Sequence, residues 1–279
     1  MKRSSFAYPY TLIALILFLA PLVLIVFYSF TTAGPDGGVS ATLENFKRFF
    51  DFDNPQYMLV LLKSFKVALI STVICLLVGF PMAYILSKMK PRMRNFVSVL
   101  FILPMWMNFL LRIYAWMTLL EKNGLINNLL RSIGLPGLNI MYTEGAVVLG
   151  TVYNFLPFMI LPIYNVLTKL DNSLIEASHD LGAGRARTFF KVVVPLSLPG
   201  VFSGINMVFM PAVTTFAISR LLGGTDSVLI GDLIEKQFKL VDDWGFGSAM
   251  SVIIMLLVLL VMFISSKFEN DKEEGGMLF

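Results

Sequence analysis

The chain has 279 residues, of which 57% are hydrophobic and 14% charged, and its mean hydropathy is +0.77. A soluble domain carries about a quarter charged residues, so this composition excludes a water-soluble globular protein. The net charge of +4 comes from cations spread over short segments between apolar runs, which is typical of membrane loops. One cysteine and one histidine exclude an intrachain disulfide and a Cys/His metal cluster, and we expect Cys75 to be a small buried side chain.

Six segments are apolar and long enough to cross about 30 Å of hydrocarbon as helices. Each must be helical, because unpaired peptide groups are strongly unfavourable in lipid. The sequence therefore predicts an all-α membrane protein with six transmembrane helices in a single domain, residues 1–279. The predicted spans are residues 10–30, 66–86, 96–120, 144–167, 196–219 and 247–266.

The charges of the loops predict the orientation. The first span follows Lys2 and Arg3, but its apolar stretch is too long for a signal peptide and no small-residue cleavage site follows it. We therefore interpret it as an uncleaved helix. The short loop 88–95 holds four cations, and short cytoplasmic loops are the ones enriched in Lys and Arg. Both termini are predicted to be cytoplasmic.

The third predicted span contains aromatic rings and an arginine. Trp106, Ile113 and Trp116 recur at intervals of seven and three residues, and Tyr114 lies about 80° from Trp106 around the helix. Such rings either bind a cation through their faces, or pack between helices and at the membrane interface. An intramembrane arginine pairs or faces water. Arg112 therefore either turns away from a path and pairs with an acid or with backbone carbonyls, of this chain or of a partner permease, or faces the path and selects an anion.

The connection 168–195, between the fourth and fifth spans, predicts a short helix of its own. Ser173 and Glu176 fit the S-x-x-E capping box at its start. Gly182 and Gly184 are suited to end it. A rigid amphipathic helix on the cytoplasmic face suits docking into a groove of a soluble partner, or lies on the lipid headgroups.

The same connection carries a family pattern. Glu176-Ala177-Ser178, three residues, Gly182, nine residues and Val192-Val193-Val194-Pro195 resemble the EAA loop of bacterial ABC importer permeases. That pattern is E-A-A, three residues, G, nine residues, I-x-L-P. The resemblance implies a type I importer permease fold and a coupling helix that seats in a cleft of a separate ATPase subunit. The implied coupling residues are Glu176, Ala177, Ser178, Gly182 and Pro195.

Three further stretches resemble spermidine/putrescine permeases of the first permease type. Residues 104–116 follow P-x-W-x-x-x-L-x-R-x-Y-A-W, and residues 216–224 and 243–249 resemble the same family. Relatives that place an acid near Thr215 or Arg220 differ from this sequence there. The resemblance covers essentially the whole chain and implies half of a translocation path for polyamines. The candidate path residues are Trp106, Asn108, Tyr114, Trp116, Asp232 and Glu235.

The last outer loop is acidic. Its carboxylates either attract cations, dock a binding protein or are simply solvated. They belong to Asp226, Asp232, Glu235, Asp242 and Asp243.

No catalytic constellation, metal site or cofactor site is predicted. The chain lacks G-x-x-x-x-G-K-[ST], so ATP and Mg²⁺ are expected to bind a partner ATPase. The expected partners are a second homologous permease, two ATPase subunits, an extracytoplasmic polyamine-binding protein and the lipid bilayer of a bacterial inner membrane; no nucleic acid is expected.

Three other functions remain open. The first is an importer permease for an anion such as sulfate or phosphate. The second is an ion-coupled secondary transporter, which needs acids deep in the membrane; the predicted spans have none. The third is a membrane anchor or sensor without transport.

Overall fold

The computed structural model describes residues 7–33 and 39–276. Lys2 and Arg3 lie outside the described residues. The α-helices are α1 (Ala7–Ser29), α2 (Glu44–Phe49), α3 (Gln56–Lys88), α4 (Pro91–Trp106), α5 (Phe109–Leu120), α6 (Leu125–Ser132), α7 (Glu144–Leu167), α8 (Asn172–Asp180), α9 (Arg185–Thr188), α10 (Val194–Thr214), α11 (Ile230–Lys236) and α12 (Trp244–Gly276).

Three shorter kinds of element complete the description. Two strands, β1 (Thr31–Ala33) and β2 (Val39–Ala41), pair antiparallel with Thr31 opposite Ala41. Their three residues each are too few for an alternating pattern, and the sequence did not predict them. Single turns of π-helix and 3₁₀-helix follow other helices. The π turns are Phe189–Val193, Ser219–Gly223 and Gln237–Val241, and the 3₁₀ turn is Thr225–Ser227.

Four helices are long and apolar enough to cross a membrane, namely Gln56–Lys88, Glu144–Leu167, Arg185–Thr214 and Trp244–Ser265. A fifth span results if the bent pair Pro91–Trp106 and Phe109–Ser132 counts as one. The described apolar part of α1, Ile13–Ser29, is shorter. The largely helical membrane fold is confirmed. The count of six spans and the cytoplasmic side of both termini stay predictions.

The predicted boundaries of three spans compare differently with the helices. The fourth span, 144–167, coincides with α7 at both ends. The second and sixth spans are too short, because α3 begins at Gln56 and α12 runs from Trp244 to Gly276. Hydropathy locates the apolar centre of a helix, whereas the helix itself continues into polar residues beyond the lipid.

The prediction of one continuous third span, 96–120, was wrong. The chain bends by 95° between α4 and α5. Met107 is extended, with φ −70° and ψ 146°, and Asn108 caps the next helix by accepting hydrogen bonds from the N–H groups of Leu110 (2.9 Å) and Leu111 (3.4 Å). An asparagine side chain satisfies the free N–H groups of a helix start, so a new helix begins inside the apolar run.

The predicted end of the fifth span, residue 219, was also wrong. The helix ends at Thr214, and Thr215 adopts an extended conformation with ψ 138°. The Thr214 hydroxyl donates to the carbonyl oxygens of Met210 (3.3 Å) and Pro211 (3.5 Å) in the last turn. The extended backbone at Thr215 interrupts the apolar run, which therefore does not continue as one helix.

The chain divides into two compact units, and each is described by itself. One unit comprises the residues up to Leu61 and Ile230–Leu260, and its core surrounds Phe49, Phe246 and Met250. The other comprises Leu62–Leu229 and the residues from Val261 onward. The single domain 1–279 stays a prediction.

The larger unit depends on close packing of α7 against α10. A Cβ at Gly200 would lie 2.8 Å from the Pro162 carbonyl oxygen, and one at Gly204 would lie 2.8 Å from Met159 Sδ. Glycines at such positions let two helices approach in lipid, where packing rather than the hydrophobic effect holds helices together. Met159 is fully buried at this contact.

Candidate functional site

The predicted coupling helix exists as α8, but its start differs from the prediction. The capping box with Ser173 at the N-cap was wrong, because the N-cap is Asp171, whose Oδ1 accepts from the Ser173 N–H at 2.9 Å. Hydrogen bonding from Ser173 keeps the pKa of the Asp171 carboxyl below its ordinary value. The helix therefore begins two residues earlier than a cap at Ser173 would allow.

Gly182 ends α8, as predicted. Its φ is +78°, in the left-handed region, and a Cβ there would meet no atom within 4 Å. Its N–H donates to the His179 carbonyl oxygen (2.9 Å), while the Ala183 N–H donates to that of Ser178 (3.0 Å). These two bonds form a Schellman motif, which satisfies the last carbonyls of the helix. Gly184, with φ −70°, is instead the N-cap of α9.

One face of α8 packs on the rest of the larger unit. Ile175 contacts the core cluster that includes Met159, Ile163 and Val193. The hydroxyls of Ser178 and Thr188 hydrogen-bond to each other at 2.8 Å, and Thr188 is buried. These contacts connect α8 to α9 and fix which side of α8 faces away.

The opposite face of α8 is exposed and apolar. Leu174 is 47% exposed and Leu181 is 89% exposed, with exposed Ala177 and Glu176 nearby on the helix. The described residues provide no ion pair for the Glu176 carboxylate. Ser178 turns inward, so Leu174, Ala177 and Leu181 form the apolar part of the exposed face.

The chain passes from α8 into the membrane through an aromatic contact that the sequence did not single out. After α9, the π turn Phe189–Val193 leads directly into α10, with Pro195 exposed in the first turn of that helix. The Phe189 ring packs edge-on against Tyr84 (5.1 Å between centroids) and Phe80 (5.8 Å) of α3. Hydropathy does not distinguish Phe189 from its exposed neighbour Phe190, so only the packing identifies it.

The four aromatic and polar candidates of the broken span differ in exposure. Trp106 is 86% exposed at the end of α4, and Asn108 caps α5. Tyr114 is 47% exposed, whereas Trp116 packs edge-on against Tyr153 of α7 at 5.1 Å between centroids. Trp106 and Tyr114 thus present free ring surface, and Trp116 serves the packing of α5 on α7.

Arg112 lies on the same helix as Tyr114 and Trp116, but is buried. Only 8% of its surface is exposed, and its Nε has no hydrogen-bond partner within the described part of the chain. Of the two hypotheses for this residue, pairing with an acid of the same chain finds no support among the described residues.

Asp232 and Glu235 lie on α11, in the smaller unit, and therefore in a different unit from Trp106 to Trp116. The Glu235 carboxylate pairs with Lys239 Nζ at 2.8 Å and its side chain is 14% exposed. The side chain of Asp226 lies outside the described residues. Their role in a substrate path stays a prediction.

Two other acids of this loop bind groups of the smaller unit. Asp243 pairs with Arg48 at 2.7 Å, and Asp242 accepts from Trp244 Nε1 at 2.7 Å. Burial lowers the pKa of Arg48, but hydrogen bonds to Asp243 and Tyr57 outweigh burial and hold it above the ordinary value. These carboxylates have structural partners.

Residues 75–272 match a family described as binding-protein-dependent transport system inner membrane component. The spermidine/putrescine transport system permease protein PotB of Haemophilus influenzae is 40% identical over 92% of this chain and 91% of its own. That of Escherichia coli K12 is 40% identical over 91% and 94%. The inner membrane ABC transporter permease protein YdcU of Escherichia coli K12 is 30% identical over 85% and 79%.

Solved structures share the fold. A chain of a bacterial ABC transporter involved in the import of the acidic polysaccharide alginate superposes with a TM-score of 0.71, at 16% identity, over 96% of both chains. A chain of the MetNI methionine ABC transporter in an inward-facing conformation superposes with a TM-score of 0.56, at 17% identity, over 76% of this chain and 94% of its own.

Proposed function

The chain belongs to the family of binding-protein-dependent transport system inner membrane components, and from this premise we propose that it is a permease subunit of an ATP-driven polyamine importer. Its substrate class is spermidine and putrescine. The observation that supports this proposal is 40% identity to spermidine/putrescine permeases over nine-tenths of both chains. The subunit forms half of the translocation path and is a component of the bacterial inner membrane.

The coupling element is α8 with the residues around it. A partner ATPase covers Leu174, Ala177 and Leu181, which this chain leaves exposed. Amphipathic helices bind grooves through apolar residues at this spacing. Glu176 supplies a carboxylate without an ion pair at the edge of that face. Gly182 ends α8 and Pro195 lies in the first turn of α10, so the element is rigid on both sides.

Ser178 and Thr188 join the coupling element to the membrane. When nucleotide binding moves the ATPase subunits, a displacement of α8 reaches α9 through the hydroxyl pair at 2.8 Å. From α9 it reaches α10 through the π turn, with Phe189 held between Phe80 and Tyr84. Interrupted helices of this kind are frequent at functional sites.

The path for the cation is lined by the free aromatic faces of Trp106 and Tyr114, with Asn108 at the helix break. An ammonium group within about 6 Å of such a ring gains about 0.5–2 kcal/mol. Trp116, Asp232 and Glu235 belong to the proposed path as well, Trp116 by positioning α5. The subunit performs no covalent chemistry; ATP and Mg²⁺ bind two ATPase subunits, a second permease completes the path, and a polyamine-binding protein delivers the substrate.

A second candidate function rests on Arg112. A buried guanidinium repels a polyamine and attracts an anion, so an importer for sulfate or phosphate has one observation in its favour.

ATP hydrolysis by the reconstituted complex tests the proposal. The complex contains this chain, the second permease, the ATPase and the binding protein, and rates are measured with spermidine, putrescine, sulfate or phosphate. We expect polyamines to stimulate ATP hydrolysis. Glu176→Ala should remove this stimulation, and the matched exposed variant Glu44→Ala should keep it. That result supports both the substrate class and the coupling element. Stimulation by sulfate or phosphate alone contradicts the polyamine, and a chain that binds no ATPase contradicts the importer.

A further inference from the structure

Arg112 is a charged group that is buried without an ion pair among the described residues. Only 8% of the residue is exposed, and within that part of the chain its Nε has no hydrogen-bond partner. Three ion pairs among the described residues, Arg48–Asp243, Lys66–Glu144 and Lys239–Glu235, do not include it. A buried charge that lacks a partner destabilises a protein by several kcal/mol, and the described residues provide no ion pair for this one.

No acid of the described spans is available to this guanidinium. Glu144, at the first residue of α7, is bound to Lys66 Nζ at 2.7 Å. Glu121, which follows α5, lies nine residues from Arg112, or about two and a half helical turns. The same separation places Arg112 about 13 Å from Glu121 along the helix axis.

The position of Arg112 on α5 shows where a partner reaches it. Ile113 and Trp116, one and four residues later, face the core of this chain. Three neighbouring positions are exposed: Asn108 lies four residues before Arg112, Leu111 lies one residue before it, and Ala115 lies three residues after it. On a helix these three positions flank Arg112 on its other side. Arg112 therefore lies at the margin between the core and an uncovered face, beside the small side chain of Ala115.

The uncovered face has the character of a helix contact in lipid. Leu111 is 64% exposed and Ala115 is exposed as well. Small residues next to a polar group permit close approach of another helix, and polar groups bind across such contacts. A carboxylate is the natural partner of a guanidinium, because two parallel N–H···O bonds match the fork of both groups.

We propose that an acidic side chain of the second permease subunit reaches Arg112 across the face formed by Asn108, Leu111 and Ala115, and forms an intersubunit ion pair inside the membrane. This inference rests on the proposed function, since it requires a second permease. The pair neutralises the guanidinium and so removes its repulsion of a polyamine. An importer of cations then tolerates Arg112 in residues 104–116, the stretch that also contains the proposed aromatic path residues.

Co-purification measures the pair directly. This chain carries the affinity tag, the second permease and ATPase are co-expressed, and the amount of second permease per tagged chain is compared. Arg112→Gln removes the charge and lowers this ratio by at least about tenfold, whereas Arg112→Lys keeps the charge and lowers it less. The matched control is Arg94→Gln, because Arg94 also has an Nε without a partner but lies on α4 near the exposed start of that helix. It leaves the ratio within about twofold. The yield of each variant expressed alone in membranes controls for folding.

A second set of variants identifies the acid. In the Arg112→Gln background, each Asp and Glu in the spans of the second permease is replaced by Asn or Gln, one at a time. One replacement restores assembly, because it removes the carboxylate that Arg112→Gln leaves unpaired. A merely structural role of Arg112 within its own chain would give no such restoration.

Four outcomes overturn the inference. They are an unchanged ratio in Arg112→Gln, the absence of any restoring acid, assembly that depends instead on anionic phospholipid, and a normal ratio with an altered preference between polyamine and sulfate. If one of these outcomes occurs while the wild-type chain still assembles with the ATPase and the second permease, only the Arg112 inference fails. If it assembles with neither, the proposed function fails first.

Discussion

Two regions of the chain differ in whether their charged groups have partners. In the smaller unit, Arg48 pairs with Asp243 at 2.7 Å and lies 4.1 Å from the centroid of the Phe246 ring. Asp243 also accepts from the Phe246 N–H at the start of α12. We call Arg48, Asp243 and Phe246 the Arg48 cluster. In the larger unit, the described residues provide no ion pair for Glu176 on the outward face of α8, and Leu181 there is 89% exposed.

The difference separates a region whose charges are paired within the chain from a face that we expect a partner protein to cover. The Arg48 cluster satisfies its charges internally, so its contribution is to folding. The α8 face is rigid, since Asp171 and Gly182 hold both ends, yet it exposes the leucines that a folded protein usually covers. Substitutions in the first region should therefore lower stability, and those in the second should lower binding.

The largest expected effect is on binding. Leu181→Asp places a charge on the exposed face of α8 and should weaken ATPase binding by at least about 30-fold, as loss of a central apolar contact does. The midpoint of thermal unfolding should remain the same, because the side chain is 89% exposed. Binding to the immobilised ATPase and unfolding in detergent measure the two quantities.

Leu125→Asp is the matched control for that substitution. Leu125 is 70% exposed at the first residue of α6, in a loop predicted to lie outside the membrane on the other side. It should leave ATPase binding unchanged. Equal losses in both variants would contradict the assignment of α8 as the docking face.

The next effect is on stability. Asp243→Ala removes the cap of α12 and the partner of Arg48, and should lower the free energy of unfolding by about 1–2 kcal/mol, since the ion pair is partly exposed. Asp243→Asn keeps an acceptor for the Phe246 N–H and should cost less. ATPase binding should stay unchanged in both. A loss of binding with no loss of stability would reverse the comparison.

A smaller effect is expected at the end of α8. Gly182→Ala forces a Cβ into the left-handed region and should cost about 1 kcal/mol, which is about fivefold in ATPase affinity if α8 binds as a preformed helix. Gly184→Ala is the control, because its φ of −70° suits any residue and no atom lies within 4 Å of the added Cβ. Equal affinities of the two variants would show that the end of α8 is not required.

The smallest effect concerns the hydroxyl pair. Ser178→Ala and Thr188→Val each should lower transport per ATP hydrolysed by about two- to threefold, with ATPase binding intact, because one hydrogen bond contributes about 0.5–1.5 kcal/mol. The double variant should lose no more than either single one. Additive losses would mean that the two residues act separately and that the 2.8 Å contact transmits nothing.

The sequence predicted features that depend on local composition and spacing. The span 144–167 coincides with α7, because its apolar run begins directly at the cap Thr143 and ends at Leu167. The helix in the loop 168–195 and its end at Gly182 follow from a helical run with glycine, whose backbone freedom is a local property. The capping residue itself was misassigned, because Asp171 and Ser173 are both good caps and only the backbone at Asp171 selects between them.

Other features depend on the path of the whole chain. The break at Asn108 interrupts an apolar run that hydropathy reads as one span, since hydropathy counts side chains and does not sense backbone direction. The hydroxyl pair of Ser178 and Thr188 joins residues on two different helices.

By itself, then, the sequence determined that this is an apolar, helical membrane protein with a short capped helix between its fourth and fifth predicted spans, because composition, periodicity and capping act over a few residues. Only the tertiary structure decided that Phe189 packs against α3, that Trp116 packs against α7 while Trp106 stays exposed, and that Arg112 is buried without a partner in the described residues. These properties arise from contacts between distant segments, and packing in three dimensions leaves no periodic signal along the chain.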